Sequence, residues 1–237
     1  MKFQIFTLIS GLLFVSILET DGQDVFSVSS GELLFQFSET EINNVDVKDQ
    51  PRFTMFLHLG QYWHMNLGNN IGFYSGIALR NVGFIYDEDS PIQKTIRRSY
   101  TLGVPLALKL GSFKNHFYLF GGGEYELLFH YKGKRWLSND REGPKIKDTE
   151  WFSDKTNRFV PSAFVGIQFP GGIRVAFKYY LSDFLNRDYV GRDLGVNNVS
   201  FSDYTRQELF YLSVSWQLRT DEIREKLQGD DKIADLR

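Results

Sequence analysis

The residues of this 237-residue chain with the clearest chemical potential gather in one short stretch, LFGGGEYE, Leu119 to Glu126. Three successive glycines followed by Glu124 and Glu126 can form a phosphate-cradling loop or a bend in something else. A phosphate loop needs a strand, then glycines, then a helix N-terminus whose N–H groups face the anion, usually with a Lys that reaches it. Here the carboxylates stand where the anion would bind and no Lys-Ser or Lys-Thr pair follows. The continuation YELLFHY is aromatic-rich and has no helix-start signal. The glycines therefore read as a bend in a strand, with two carboxylates just beyond it.

The histidines are the other groups with catalytic chemistry, and there are four: His58, His64, His116 and His130. A nucleophile needs its base within hydrogen-bond reach. By two-residue parity all four fall on polar strand faces, with His116 beside a turn, and no G-x-S-x-G elbow occurs. No two of them stand at i, i+2 or i, i+4 with a carboxylate to complete a metal set. The expectation is packed or rim histidines, no enzyme activity, no metal and no cofactor.

The elements that must position these groups follow from composition and period. With a net charge of -2 there is no basic excess for nucleic acid, and that partner class is set aside. The 22 Phe and 12 Tyr, with 21 Gly and 6 Pro, favour strands and tight turns. Lys2 followed by the apolar run Phe3 to Leu18 reads as a secretory signal peptide, 1–22, because the run is short for a spanning helix of ~20 residues. The absence of Cys removes both a lipidated anchor and a disulfide scaffold.

Period-two alternation then recurs along the chain. Leu102, Val104, Leu106, Leu108 and Leu110 alternate with Thr101, Gly103, Pro105, Ala107 and Lys109. Phe117 to Tyr131 repeats the pattern, with Phe129 and Tyr131 on the apolar face and Glu124, Glu126 and His130 on the polar one. Phe53–Asn66, Ile71–Tyr86, Ser162–Phe169, Ile173–Leu181, Phe210–Arg219 and a weaker Glu32–Ser38 bring the total to eight strands. Several reach the ~9–11 residues of a tilted membrane-spanning strand. Connections alternate between short (GNN, GSFKN, PGG) and long, the longest running from Lys132 to Asn157. Transmembrane barrels place tight turns at one rim and long loops at the other. The expected fold is an all-β, eight-stranded antiparallel up-and-down transmembrane barrel over 32–219. It follows an N-terminal lead, 23–31, and precedes a charged periplasmic tail, 220–237.

At this point SYTLGVPLALKLG followed by YLFGGGEYEL, within Ser99–Tyr131, resembles the signature hairpin of the Bacteroidota outer-membrane β-barrel proteins, labelled porin-like or PorT-like. The resemblance implies an outer-membrane location, barrel-insertion machinery as a partner and, in its PorT-like form, association with a secretion apparatus. Barrels of this class commonly end on an aromatic residue; here RTDEIREKLQGDDKIADLR follows Leu218, so an insertion signal would be read internally.

The interior of an eight-stranded barrel is just wide enough for side chains to fill it. Parity places Glu124, Glu126, Arg80 and Lys178 there, and buried carboxylates need cations. A structural lumen charge network among these four is expected. Trp63, Phe73, Phe117, Tyr179 and Trp216 read as interface aromatics. The long loop, with Trp136, Trp151 and Phe152 among many charges, is the candidate interaction loop for a protein partner or lipopolysaccharide phosphates. Three roles follow: a structural or interaction barrel in outer-membrane lipid that binds through loops and tail, a narrow passive channel, or a soluble lipocalin-like barrel with the faces inverted.

Overall fold

A computed structural model describes residues 24–89, 92–136 and 143–220. The expected signal peptide and all but the first residue of the tail lie outside the described residues. Eight long strands form the wall: β1 (Asp24–Ile42), β2 (Leu59–Asn66), β3 (Ile71–Asp89), β4 (Ile92–Ser112), β5 (Phe117–Trp136), β6 (Phe159–Gln168), β7 (Ile173–Tyr180) and β8 (Tyr204–Arg219). Each pairs antiparallel with its neighbour in sequence, and β8 returns to β1, with Val28 opposite Arg219 and Thr40 opposite Gln207. The sheet closes on itself, so the fold is an eight-stranded antiparallel barrel.

Period-two alternation forces the sorting of faces. Leu102, Val104, Leu106, Leu108 and Leu110 all point outward and are exposed, whereas Thr101, Ala107 and Lys109 are buried inside. The same holds around the ring: Leu33, Phe35, Phe73, Leu119, Val165, Phe177, Val214 and Trp216 face out. Arg80, Glu124, Glu126, Arg174 and Lys178 are buried within. This orientation is the reverse of the lipocalin-like arrangement, whose ligand-holding interior is apolar.

Several boundaries differ from the sequence reading. The residues expected as a lead, 23–31, are wall from Asp24 onward: Asp24 to Gly31 pair with Asn66 to Leu59 of β2. The continuous strand expected over Phe53–Asn66 is broken. Arg52–Thr54 pairs with β1, Lys48–Gln50 pairs with β3, and Met55–His58 loops out before β2 begins. Leu57 there has a left-handed φ of 57°, which ends the alternation locally. The loop-out leaves a notch of about 510 Å³ on the outer wall, lined by Met55, Leu57, Ile173 and Trp216.

Residues 87–89 and 92–100, expected within a long loop, are strand: Asp87 to Asp89 pair with Lys94 to Ile92. Lys132–Trp136 likewise continues β5 and pairs with a further strand, Lys145–Trp151. β3, β4 and β5 contain 19, 21 and 20 residues. At ~3.3 Å per residue and a tilt of ~40°, such strands rise roughly 50 Å, about twice the ~25 Å apolar band of an outer-membrane barrel. The wall therefore projects well beyond that band on the side opposite the short turns.

A β-bulge sits in β5. Tyr100 is opposite His130 but Thr101 is opposite Leu128, so Phe129 is the extra residue. One extra residue inverts parity: Tyr131, expected outside, is buried inside, and His130, expected on the polar interior face, turns outward onto Trp151. The glycine triplet is continuous strand. Gly122 lies opposite Ala107, and a Cβ there would meet Leu106 O at 2.0 Å and Ala107 Cα at 2.7 Å. Only glycine permits that approach of β4 to β5.

Candidate functional site

The interior is filled in three storeys. In the middle one, Arg80 Nε donates to Glu32 Oε2 at 2.6 Å and Arg80 Nη1 to Glu124 Oε1 at 2.5 Å. Lys178 Nζ donates to Glu124 Oε2 at 2.5 Å and to Glu126 Oε1 at 2.9 Å. Tyr180 Oη donates to both oxygens of Glu126, and Arg80 Nη2 to Tyr62 Oη. The structure thus brings Arg80, Glu124, Glu126 and Lys178 into one chain of ion pairs. Gly103 on β4 gives Glu124 its space, since a Cβ there would lie 1.9 Å from Glu124 Oε1.

Sequence reasoning missed Glu32, the terminal carboxylate of this chain. The signal was present: Glu32 shares parity with Leu34, Gln36 and Ser38, which are all buried, while Leu33 and Phe35 face out.

The storey towards the short turns is aromatic and cationic. Arg174 Nη2 donates to Tyr74 Oη at 2.7 Å, and its guanidinium lies 3.8 Å from the Phe120 ring centre. Lys109 Nζ donates to Asn66 Oδ1 at 2.7 Å and lies 3.2 Å from His64 Nδ1. His58 is buried behind the loop-out, 3.0 Å from Thr54 Oγ1, and accepts the Asn81 N–H at 3.3 Å. His116 occupies an exposed turn position with φ 52°. The four histidines are therefore dispersed, and among the described residues none pairs with both a hydroxyl nucleophile and a carboxylate.

The storey towards the long connections is a plug. From the connection 181–203, Phe184, Leu185 and Phe201 turn inward and are buried against Phe84, Tyr86 and Tyr204 of the wall. Arg97 anchors it, donating to Asp193 Oδ2 at 2.7 Å, Tyr131 Oη at 2.6 Å and Tyr204 Oη at 2.9 Å. Asp193 lies off the periodic segments, so nothing in the local pattern pointed to this pair. Between the storeys a cavity of about 30 Å³ remains, lined by Glu32, Tyr62, Arg80, Arg174 and Lys178. That is room for one or two waters.

The residues of the candidate interaction loop separate. Trp136 is buried at the end of β5 with Lys145 Nζ 6.0 Å from its ring centre. Trp151 and Phe152 are exposed on the outer wall. Trp151 stacks on His130 with ring centres 4.1 Å apart and near Phe129 at 5.9 Å; Tyr125 and Phe159 stack just below at 5.6 Å. These rings form an aromatic belt. Lys155 is buried beside it, hydrogen-bonded to Asp148 and to Glu150 at 2.6 Å. Burial opposes its charge, but those two carboxylates hold its ammonium above its ordinary range.

No family model matches the chain, and no curated protein matches it. Among solved structures, it is similar to Ail, the attachment invasion locus protein of Yersinia pestis, solved in complex with the heparin analogue sucrose octasulfate. That match has 13% identity, covers 81% of this chain and 99% of Ail, and has a TM-score of 0.39. It is also similar to the outer membrane protein OprG from Pseudomonas aeruginosa, at 11% identity, 83% and 96% coverage and a TM-score of 0.38. Neisserial surface protein A matches at 10% identity over 84% of this chain and 99% of that protein, with a TM-score of 0.38.

Proposed function

We propose that this chain is an integral outer-membrane β-barrel with a non-catalytic, structural or interaction role, presenting its projecting wall and connections to partners. The observation that carries the reading is the inversion of a soluble protein's surface. Leucine, valine and phenylalanine line the outside of a closed barrel whose inside holds the charged side chains. In water such a continuous apolar exterior would aggregate; in lipid it is the required face, and closure pairs each of the eight wall strands on both sides.

The filled interior supports an interaction role over solute passage: among the described residues, the cavity in the middle of the barrel is about 30 Å³, and Phe184, Leu185 and Phe201 pack into the end towards the long connections. The PorT-like resemblance of Ser99–Tyr131 supports the finer assignment, a barrel of Bacteroidota that works beside a secretion apparatus. Insertion would then use the cell's barrel-insertion machinery.

The test is fractionation of expressing cells, detergent extraction, and electrophoresis of boiled and unboiled samples. Outer-membrane partitioning with heat-modifiable mobility is the expected result. A monodisperse soluble protein would refute the assignment. Co-purification from mildly solubilised membranes then separates the secretion-linked role from a solitary structural one.

A further inference from the structure

On one side of the barrel, directly beyond the aromatic belt, the outer wall carries five cations on three adjacent strands: Arg98, Lys132, Lys134, Lys145 and Lys147. Register makes them neighbours. Arg98 is opposite Lys132 on β5, and Lys134 is opposite Lys147 on the strand Lys145–Trp151. Alternation turns that last strand's acids, Asp148 and Glu150, the other way, towards Lys155. Among the described residues, no carboxylate lies within ion-pair distance of any of the five.

Like charges placed directly across a strand pair repel. Burial first, and then Arg98, Lys145, Lys147 and Lys132, push the Lys134 ammonium below its ordinary value; it lies beyond the apolar band. The acids Glu39, Glu41 and Glu208, by contrast, sit on β1 and β8, where Arg206 bridges all three. The charge asymmetry is thus built into the wall.

Position identifies what would neutralise the patch. Lys132 is two residues from His130, whose ring stacks on exposed Trp151, and Lys132 Nζ lies 5.3 Å from the Tyr100 ring centre. Two residues of strand are ~7 Å, so the cations stand one headgroup's depth above the rings that mark an apolar–polar boundary. Below the rings the wall continues as Leu102, Val104 and Tyr125, all exposed. A ligand that fits has an acyl part against this wall and phosphates at the height of the lysines. Ammonium and guanidinium groups bind phosphate with strong charge-assisted hydrogen bonds.

We propose that the outer wall formed by β4, β5 and Lys145–Trp151 is a docking surface for the phosphorylated glycolipid headgroups of the outer leaflet. The proposal rests on the outer-membrane reading above.

The full-chain barrel is reconstituted in phosphatidylcholine nanodiscs carrying either diphosphoryl lipid A or its dephosphorylated counterpart, and retained lipid is counted by native mass spectrometry. Wild type should retain the diphosphoryl form with a preference of roughly tenfold or more, since basic residues near an anionic surface each add to the attraction. The preference should fall with added salt. It should be lost in Lys132→Gln/Lys134→Gln/Lys147→Gln and kept when the same three are changed to Arg. Equal retention of the two lipids, or an unaltered preference in the Gln variant, overturns the proposal while leaving the barrel reading intact. Full competition by millimolar inorganic phosphate also overturns it, in favour of a free-phosphate site. A chain that never enters nanodiscs overturns the outer-membrane reading, and this proposal with it.

Discussion

Arg80 Nη1 donates to Glu124 Oε1 at 2.5 Å from β3 to β5, passing over the intervening strand β4 at Gly103. The bond ties together strands that share no backbone pairing. It is the centre of a chain running Glu32, Arg80, Glu124, Lys178, Glu126, with a cation between each pair of carboxylates. Removing one member strands charged partners in a space that admits almost no water.

Arg80→Leu is therefore expected to lower barrel stability by about 3–5 kcal/mol, the cost of breaking a buried ion pair. The measurement is the urea midpoint of the heat-modifiable species in detergent. Adding Glu32→Gln and Glu124→Gln to Arg80→Leu should restore much of the loss, since the stranded charges are then gone. An unchanged midpoint in the single variant would sink the network as a stabilising element.

The glycine triplet gives a sharper contrast within three residues. A Cβ at Gly122 would meet Leu106 O at 2.0 Å, while at Gly123 the nearest atom is Ser162 O at 3.5 Å. Gly122→Ala should prevent β4 from closing on β5 and collapse the yield of folded barrel. Gly123→Ala should fold normally. Equal yields from refolding into detergent would show that the wall relaxes more easily than this geometry allows.

Four tryptophans report the faces independently. Trp63, Trp151 and Trp216 are exposed on the outer wall, and Trp136 is buried. In single-tryptophan chains reconstituted with lipids brominated along the acyl chain, Trp63, Trp151 and Trp216 should all be quenched, and Trp136 hardly at all. Quenching of Trp136 as strong as that of Trp216 would contradict the assignment of faces.

The plug depends on the Arg97–Asp193 pair, buried at both ends. Asp193→Ala leaves the guanidinium facing the hydroxyls of Tyr86, Tyr131 and Tyr204 alone. The 181–203 segment contains Arg187 and Arg192. Trypsin should cut there several-fold faster in the variant, with the barrel's mobility shift preserved. Cleavage at the wild-type rate would mean that apolar packing of Phe184, Leu185 and Phe201 holds the plug without the ion pair.

How much of this was legible in the chain follows from what is local. Alternation of side chains is a property of each strand alone, so eight strands, their order, and the shared polar-face parity of Arg80, Glu124, Glu126 and Lys178 could be read from single segments. Glu32 obeyed the same rule and was readable from Leu34, Gln36 and Ser38. Parity fails where one residue is inserted, and the bulge at Phe129 sent Tyr131 in and His130 out. That bulge shows itself only when β4 and β5 are laid side by side.

The sequence by itself determined the period, the strand count and the pairing of neighbours, because these depend on backbone geometry and adjacent residues. Only the tertiary structure decided which face is outside, because closure of the ring alone defines an interior. It alone turned expected loops into projecting wall and packed Phe184, Leu185 and Phe201 into the lumen. Those outcomes rest on contacts such as Arg97 with Asp193, 96 residues apart, and no local pattern encodes a distance of that kind.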